Sequence, residues 1–186
     1  PSYLNFGDRY LALTGIPYRF GKARPGEVAA LTQETLELLS HDDISEILSG
    51  KVILDGPAAI WLTKNGFTDK IGVRAKPWNR KTIQVHEFDN GFRQSGMRRG
   101  GLADLTEMDN AARVVSKLLN RPKLDAEPVY EAPGSILFDN AAGGKVLVLA
   151  QKVPEQMPAY YEAAFYSERY RDAMVRWLKL LAGKMP

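Results

Sequence analysis

Residues 48–73 read LSGKVILDGPAAIWLTKNGFTDKIGV, and the fold class follows from this stretch. Lys51–Leu54 is a short apolar run rich in β-branched residues, the composition of a buried strand. Asp55-Gly56-Pro57 breaks it. Pro57 suits the first turn of a helix, because its φ is already set and its missing N–H would be unpaired there in any residue. Ala58, Ala59, Ile60, Trp61 and Leu62 continue as helix formers, and Gly66 stands where a left-handed residue closes a helix. The stretch predicts strand, tight turn, helix and stop. In an open α/β sheet such a turn lies at the carboxyl end of a strand, where ligands usually bind.

Upstream, Val28–Leu31 fits a buried strand or the first turn of a helix. Thr32–Leu39 predicts a helix with Leu36, Leu38 and Leu39 on its apolar face. Ser40-His41-Asp42-Asp43 resembles a second helix start, with acids favoured by the helix dipole. Ile44, Ile47 and Leu48 would be its buried stripe, and Gly50 its end. Further back, Tyr3–Leu13 reads as a helix and Tyr18–Phe20 as a short strand.

Downstream the texture changes. Arg74–Lys81 is basic, with Trp78 after a proline, and Thr82–Asp89 alternates as a strand does. Arg93–Gly101 reads as a loop rich in Gly and Arg. Met108, Ala111, Ala112, Val115, Leu118 and Leu119 fit helical spacing, whereas Arg113–Asn120 taken alone can be a strand. Pro128–Glu131 and Ser135–Phe138 read as two strands, and Asp139–Gly144 is turn chemistry. Gly143-Gly144-Lys145 lacks the upstream Gly and the following Ser or Thr of a phosphate-binding loop, so a hairpin turn is expected there. Lys145–Ala150 is a second strongly buried strand. A final helix, about Ser167 to Leu181, places Tyr170, Met174, Trp177, Leu178 and Leu181 on one face. The approach to it carries Tyr160, Tyr161, Phe165 and Tyr166, expected as packing for that helix.

Composition bounds the function. The 186 residues, 45% hydrophobic and 25% charged, suit a single domain with a full core. No apolar run of about 18 residues occurs, so no membrane span is expected. The absence of cysteine excludes disulfides, thiolate zinc sites and cysteine nucleophiles. His41 and His86 are the two histidines and have no ligand spacing, so neither a metal nor a cofactor is expected. The net charge of +3 is mild and no nucleic-acid motif appears, which argues against a nucleic-acid partner. A start at Pro1 and an end just after a helix suggest a domain excised from a longer chain, whose compartment, cytoplasmic or periplasmic, it would share.

The C-terminal third runs from a Pro-led strand through a hairpin ending in Gly-Gly-Lys, into KVLVLA and then a helix ending RWLKLLAG. This order resembles the glutamine-amidotransferase-like domains of bacterial glycoside hydrolases, of which the β-galactosidase trimerisation domain is the best known. The segment ISEILSGKVILDGPAAIWLTKNGFTDKIGV is similar to a stretch common in large bacterial glycosidase-like polypeptides. The resemblance covers roughly Gly15 to the end. It implies a flavodoxin-like three-layer α/β sandwich with a C-terminal β-hairpin and final helix, and it favours a strand at Arg113–Asn120. It also implies an accessory domain that serves subunit assembly or shapes a carbohydrate cleft, with other domains or subunits of the parent as partners. True amidotransferases carry a Cys nucleophile on a strand-to-helix elbow. Here the corresponding type of turn carries Asp55, so thioester glutaminase chemistry is excluded. Ser49, Ser95 and Ser135 are not in a G-x-S-x-G elbow either.

Three constellations remain. Asp55 could face a ligand, or it could cap the helix that follows it. Asp55 with Glu87 or Asp89 could form a glycosidase pair, which requires a separation of about 5–5.5 Å for retention or about 6.5–9.5 Å for inversion. Glu87 and Asp89 would share one face of a regular strand. Finally, residues 74–101 gather Arg and aromatic side chains among turn residues. There Trp78, Arg80, Arg93, Arg98 and Arg99 are candidates for an interface or for a saccharide-binding module. This segment is expected to project from the sheet edge.

Overall fold

The strand, turn and helix of residues 51–64 form as the sequence predicts, and the rest of the chain is laid down around them. The computed structural model describes residues 17, 19, 21–79, 83–98, 102–121, 123, 125–152 and 168–183. β1 (Val28–Leu31) lies parallel to β2 (Lys51–Leu54), and β2 lies parallel to β9 (Lys145–Leu149). Beyond β9 the sheet turns antiparallel, through β8 (Val129–Asp139), β7 (Arg113–Asn120), β4 (Ile83–Phe88) and β5 (Arg93–Arg98). The order is β1-β2-β9-β8-β7-β4-β5, a mixed seven-stranded sheet among the described residues. A second small ladder pairs β3 (Lys76–Pro77) with β6 (Ala103–Asp104).

The alternation of side chains along each strand builds two cores. Val52 and Leu54 of β2 face one side, with Val146 and Val148 of β9. There they meet α1 (Gln33–Leu36), α2 (His41–Leu48), α3 (Gly56–Lys64) and α4 (Thr68–Ile71) through Leu36, Ile44, Leu48, Ala58, Ala59, Leu62 and Ile71. Ile53, Leu147, Leu149 and Leu137 face the other side and pack on Ala173, Trp177 and Leu181 of α5 (Glu168–Ala182). The domain is therefore a mixed α/β sandwich with helices on both faces of its parallel strands.

Local chemistry explains the boundaries. Ser40 closes a capping box on α2, its hydroxyl accepting from the Asp43 N–H while the Asp43 carboxylate accepts from the Ser40 N–H. Gly66 adopts φ +85° just past α3, as its predicted stop requires. At the β8–β9 turn the buried Asn140 uses its whole amide. Nδ2 donates to Leu48 O and Lys70 O, both at 2.9 Å, and Oδ1 accepts from Ala142 N and Gly144 N at 3.1 and 2.9 Å. This ties the hairpin to the ends of α2 and α4. Among the described residues no helix is long and apolar enough to cross a membrane.

Two readings left open, at Val28–Leu31 and Arg113–Asn120, are settled as strands, and several other expectations are corrected. Of the residues with helical spacing, Val115, Leu118 and Leu119 are buried on the two faces of β7 and Ala112 is buried just before it, whereas Met108 is half-buried and Ala111 is exposed. The Thr32–Leu39 helix is one turn only, so Leu38 falls beyond it and is 78% exposed. The two strands expected at Pro128–Glu131 and Ser135–Phe138 are one continuous β8. Pro133 and Gly134 do not break it, because the β7–β8 register shifts there: Ser116 faces Ser135, Lys117 faces Pro133, and Gly134 is the extra residue of a bulge. Arg93–Arg98, expected as loop, is the edge strand β5. Arg74–Pro77 does not project either. Ala75 N donates to Thr63 Oγ1 of α3 at 3.0 Å, and Lys76–Pro77 pairs with Ala103–Asp104. The helix expected at Tyr3–Leu13 and the aromatics Tyr160, Tyr161, Phe165 and Tyr166 lie outside the described residues, as do Tyr18 and Phe20 of the expected strand.

Candidate functional site

Asp55 follows β2 at the carboxyl end of the parallel strands. Its Oδ1 accepts from Ala58 N at 2.9 Å, so the carboxylate caps α3. Asp55 is 1% exposed, and Thr32 and Gln151, which follow β1 and β9, are buried beside the same sheet end. The chain closes this edge with its own backbone. Gly56 N donates to Gln151 O at 3.1 Å, Ala103 N donates to Ala150 O, and Leu102 bridges Gln151. A Cβ on Gly56 would collide with the Ala150 carbonyl, so only glycine lets α3 start this close to β9. At this position Asp55 organises the turn.

Glu87 and Asp89 have separate partners. Glu87 stands on β4 directly between Arg93 of β5 and Lys117 of β7, its registered cross-strand neighbours. Its carboxylate lies 2.6 Å from Arg93 Nε and 3.8 Å from Lys117 Nζ. Arg93 extends the row to Glu127 at 3.4 Å. The bond to Glu87 raises the Arg93 pKa above its ordinary value. Asp89 lies just past the end of β4, in the turn, where it receives Arg176 Nε of α5 at 3.4 Å. The single face expected for Glu87 and Asp89 is thus not used by both, because the strand ends between them. Nor does the sheet bring Asp55 near either one. β2 and β4 are four strand spacings apart, roughly 19 Å, at about 4.8 Å per spacing.

The expected contact residues are dispersed. Trp78 is half-buried, packs against the first core and donates its backbone N–H to Leu102 O at 2.9 Å. Arg93 opens the edge strand and Arg98 ends it. Arg80 and Arg99 lie outside the described residues. Among the described residues no group of three His, Asp or Glu side chains is arranged to hold a metal.

One constellation is not visible in the sequence. His86 Nε2 lies 2.7 Å from Ser116 Oγ, which lies 2.7 Å from Ser135 Oγ. The three residues come from β4, β7 and β8, adjacent strands far apart in sequence. The Ser–His distance is that of a nucleophile and its base, but all three are buried, at 3, 2 and 0% exposure. Gly134 presses on the pair: a Cβ there would stand 2.7 Å from both His86 Nε2 and Ser116 Oγ. The His86 ring lies tilted against Phe88, its centroid 4.2 Å away, and Phe88 stacks on Trp177 of α5. The chain of bonds therefore satisfies His86 Nε2 and the hydroxyls of Ser116 and Ser135, and it links three adjacent antiparallel strands. The sequence hint was a lone histidine within an alternating strand, and its partners depend on a pairing that only the sheet supplies. The chain matches no protein-family model and no curated protein.

Proposed function

We propose that this chain is a non-catalytic accessory domain of a bacterial glycoside-hydrolase-type polypeptide, serving subunit assembly or shaping a carbohydrate cleft. The parallel half β1-β2-β9, with helices on both faces, is the part we read as flavodoxin-like and glutamine-amidotransferase-like, with β4, β5, β7 and β8 as an antiparallel extension. One observation carries the functional reading: every carboxylate weighed for catalysis already has a structural partner. Asp55 caps α3, Glu87 sits between Lys117 and Arg93, and Asp89 meets Arg176. The contact surface we assign is the β4–β5 hairpin at the end of the sheet, with Trp78 beside the core as the saccharide alternative. The test uses the parent polypeptide with Arg98→Ala and with Trp78→Ala, measuring mass by light scattering and affinity for saccharide. Loss of assembly with Arg98→Ala supports the contact role. Loss of saccharide affinity with Trp78→Ala, assembly intact, supports the cleft role. Variants that both match the parent in mass and affinity refute the reading.

A further inference from the structure

β5 ends the sheet. Among the described residues no strand pairs with its outer side. The hairpin that presents it is well defined. Gly91 N donates to Phe88 O at 2.9 Å, Phe88 N donates to Phe92 O at 2.8 Å, and Gly91 takes φ +76°. That is a three-residue loop with a glycine bulge. It also fixes which backbone groups face outward. With Phe88–Phe92 bonded, alternation makes Glu87–Arg93 a non-hydrogen-bonded pair, His86–Gln94 a bonded one and Val85–Ser95 non-bonded again. The N–H and C=O groups of Arg93 and Ser95 therefore point away from β4, toward any added strand.

The composition of the edge selects the occupant. Arg93–Arg98 carries two arginines and no carboxylate, and residues 80–99 hold five Lys and Arg against two Asp and Glu. Those two acids, Glu87 and Asp89, pair with Arg93, Lys117 and Arg176, and Glu127 also reaches Arg93, so the excess of positive charge in this stretch rests on its other Lys and Arg. Charged edges discourage indiscriminate pairing. A second copy docking edge to edge would set arginine-bearing strands against each other, which is destabilising. An extended segment bearing carboxylates has no such penalty and gains main-chain bonds as well as charge pairing.

We propose that the outer edge of β5 binds an extended acidic segment of a partner chain or domain by strand addition, through the backbone of Arg93 and Ser95. This rests on the assembly reading above and names the partner's chemistry. The test is amide hydrogen exchange on the full chain with a blocked hexapeptide of alternating threonine and glutamate. A threonine–lysine peptide serves as control. At a peptide concentration about ten times its Kd, exchange at Arg93 and Ser95 should slow about tenfold. The lysine peptide should not protect them. Ser95→Pro removes an outward N–H that no strand among the described residues pairs with, as edge positions permit, and should abolish the protection while the circular dichroism spectrum stays unchanged. No protection by the acidic peptide, or equal protection by both peptides, overturns the proposal. So does protection already present without peptide, whether independent of chain concentration or rising with it, since the occupant would then be the chain itself or a second copy. If Arg98→Ala disrupts assembly of the parent while the acidic peptide fails, this inference falls and the assembly reading stands.

Discussion

Gly134→Ala tests whether the buried polar chain is packed as described. The added methyl would lie 2.7 Å from His86 Nε2 and Ser116 Oγ and 3.0 Å from His86 Cδ2. Neither neighbour can yield freely. The imidazole is packed in a tilted contact against Phe88, and the Ser116 hydroxyl is bonded on both sides. Overpacking of this kind costs about 1–3 kcal/mol, and a displaced buried hydrogen bond adds about 0.5–1.5 kcal/mol. A loss of about 2–4 kcal/mol is therefore expected, read as a fall in the urea midpoint at unchanged slope. Ser116→Ala alone should also destabilise, because it leaves polar atoms of His86 and Ser135 short of a bond. It removes one of the two closest atoms facing the new methyl, so the double variant should be more stable than the sum of the singles by about 1 kcal/mol. A Gly134→Ala protein within about 0.5 kcal/mol of the parent, the range of neutral surface changes, would refute the packing of this site.

Leu54→Ala, at a fully buried position of β2 between β1 and β9, should lose about 2–5 kcal/mol, and an unchanged thermal midpoint would contradict the strand order. Asp55→Ala should cost about 0.5–2 kcal/mol through the lost cap on α3, whereas Asp55→Asn should retain most of it, as chemical denaturation of the two variants would show. The Asp43 pKa is lowered, chiefly by its bond from Ser40. Its contribution is therefore complete above the ordinary carboxylate range and is lost as pH falls through its depressed folded value. Protection factors of the α2 amides, which correct for the slower intrinsic exchange in acid, should fall as pH drops through that value, and Asp43→Asn should reduce that pH dependence.

The parallel half of the sheet was legible because its signals are local. Residues 51–66 contain a β-branched run, a capping Asp, an early Pro and a terminal Gly, each acting within a turn of the chain. Residues 40–50 share that quality. The antiparallel half was not legible in the same way. β5 is rich in Gly and Arg and gains its strand character from β4, and Arg113–Asn120 has helical spacing that the sheet overrides. Pro133-Gly134 looked like a break because a bulge absorbs one unpaired residue only where the opposite strand shifts register, and the opposite strand was unknown. The candidate site divides likewise. The capping role of Asp55 was readable from its neighbours, whereas the partners of Glu87, His86 and Ser116 depend on which strands lie side by side.

The central claim is that this domain supplies contacts and not chemistry. Its direct test is the aryl-glycoside turnover, per catalytic site, of the parent polypeptide carrying Asp55→Asn with Glu87→Gln. Asn preserves the cap and Gln is isosteric, so the fold should persist. We predict turnover equal to that of the parent. A well-folded double variant that loses turnover by the factor of about 100 or more expected on removing a general acid or base would contradict the claim and place the chemistry in this domain.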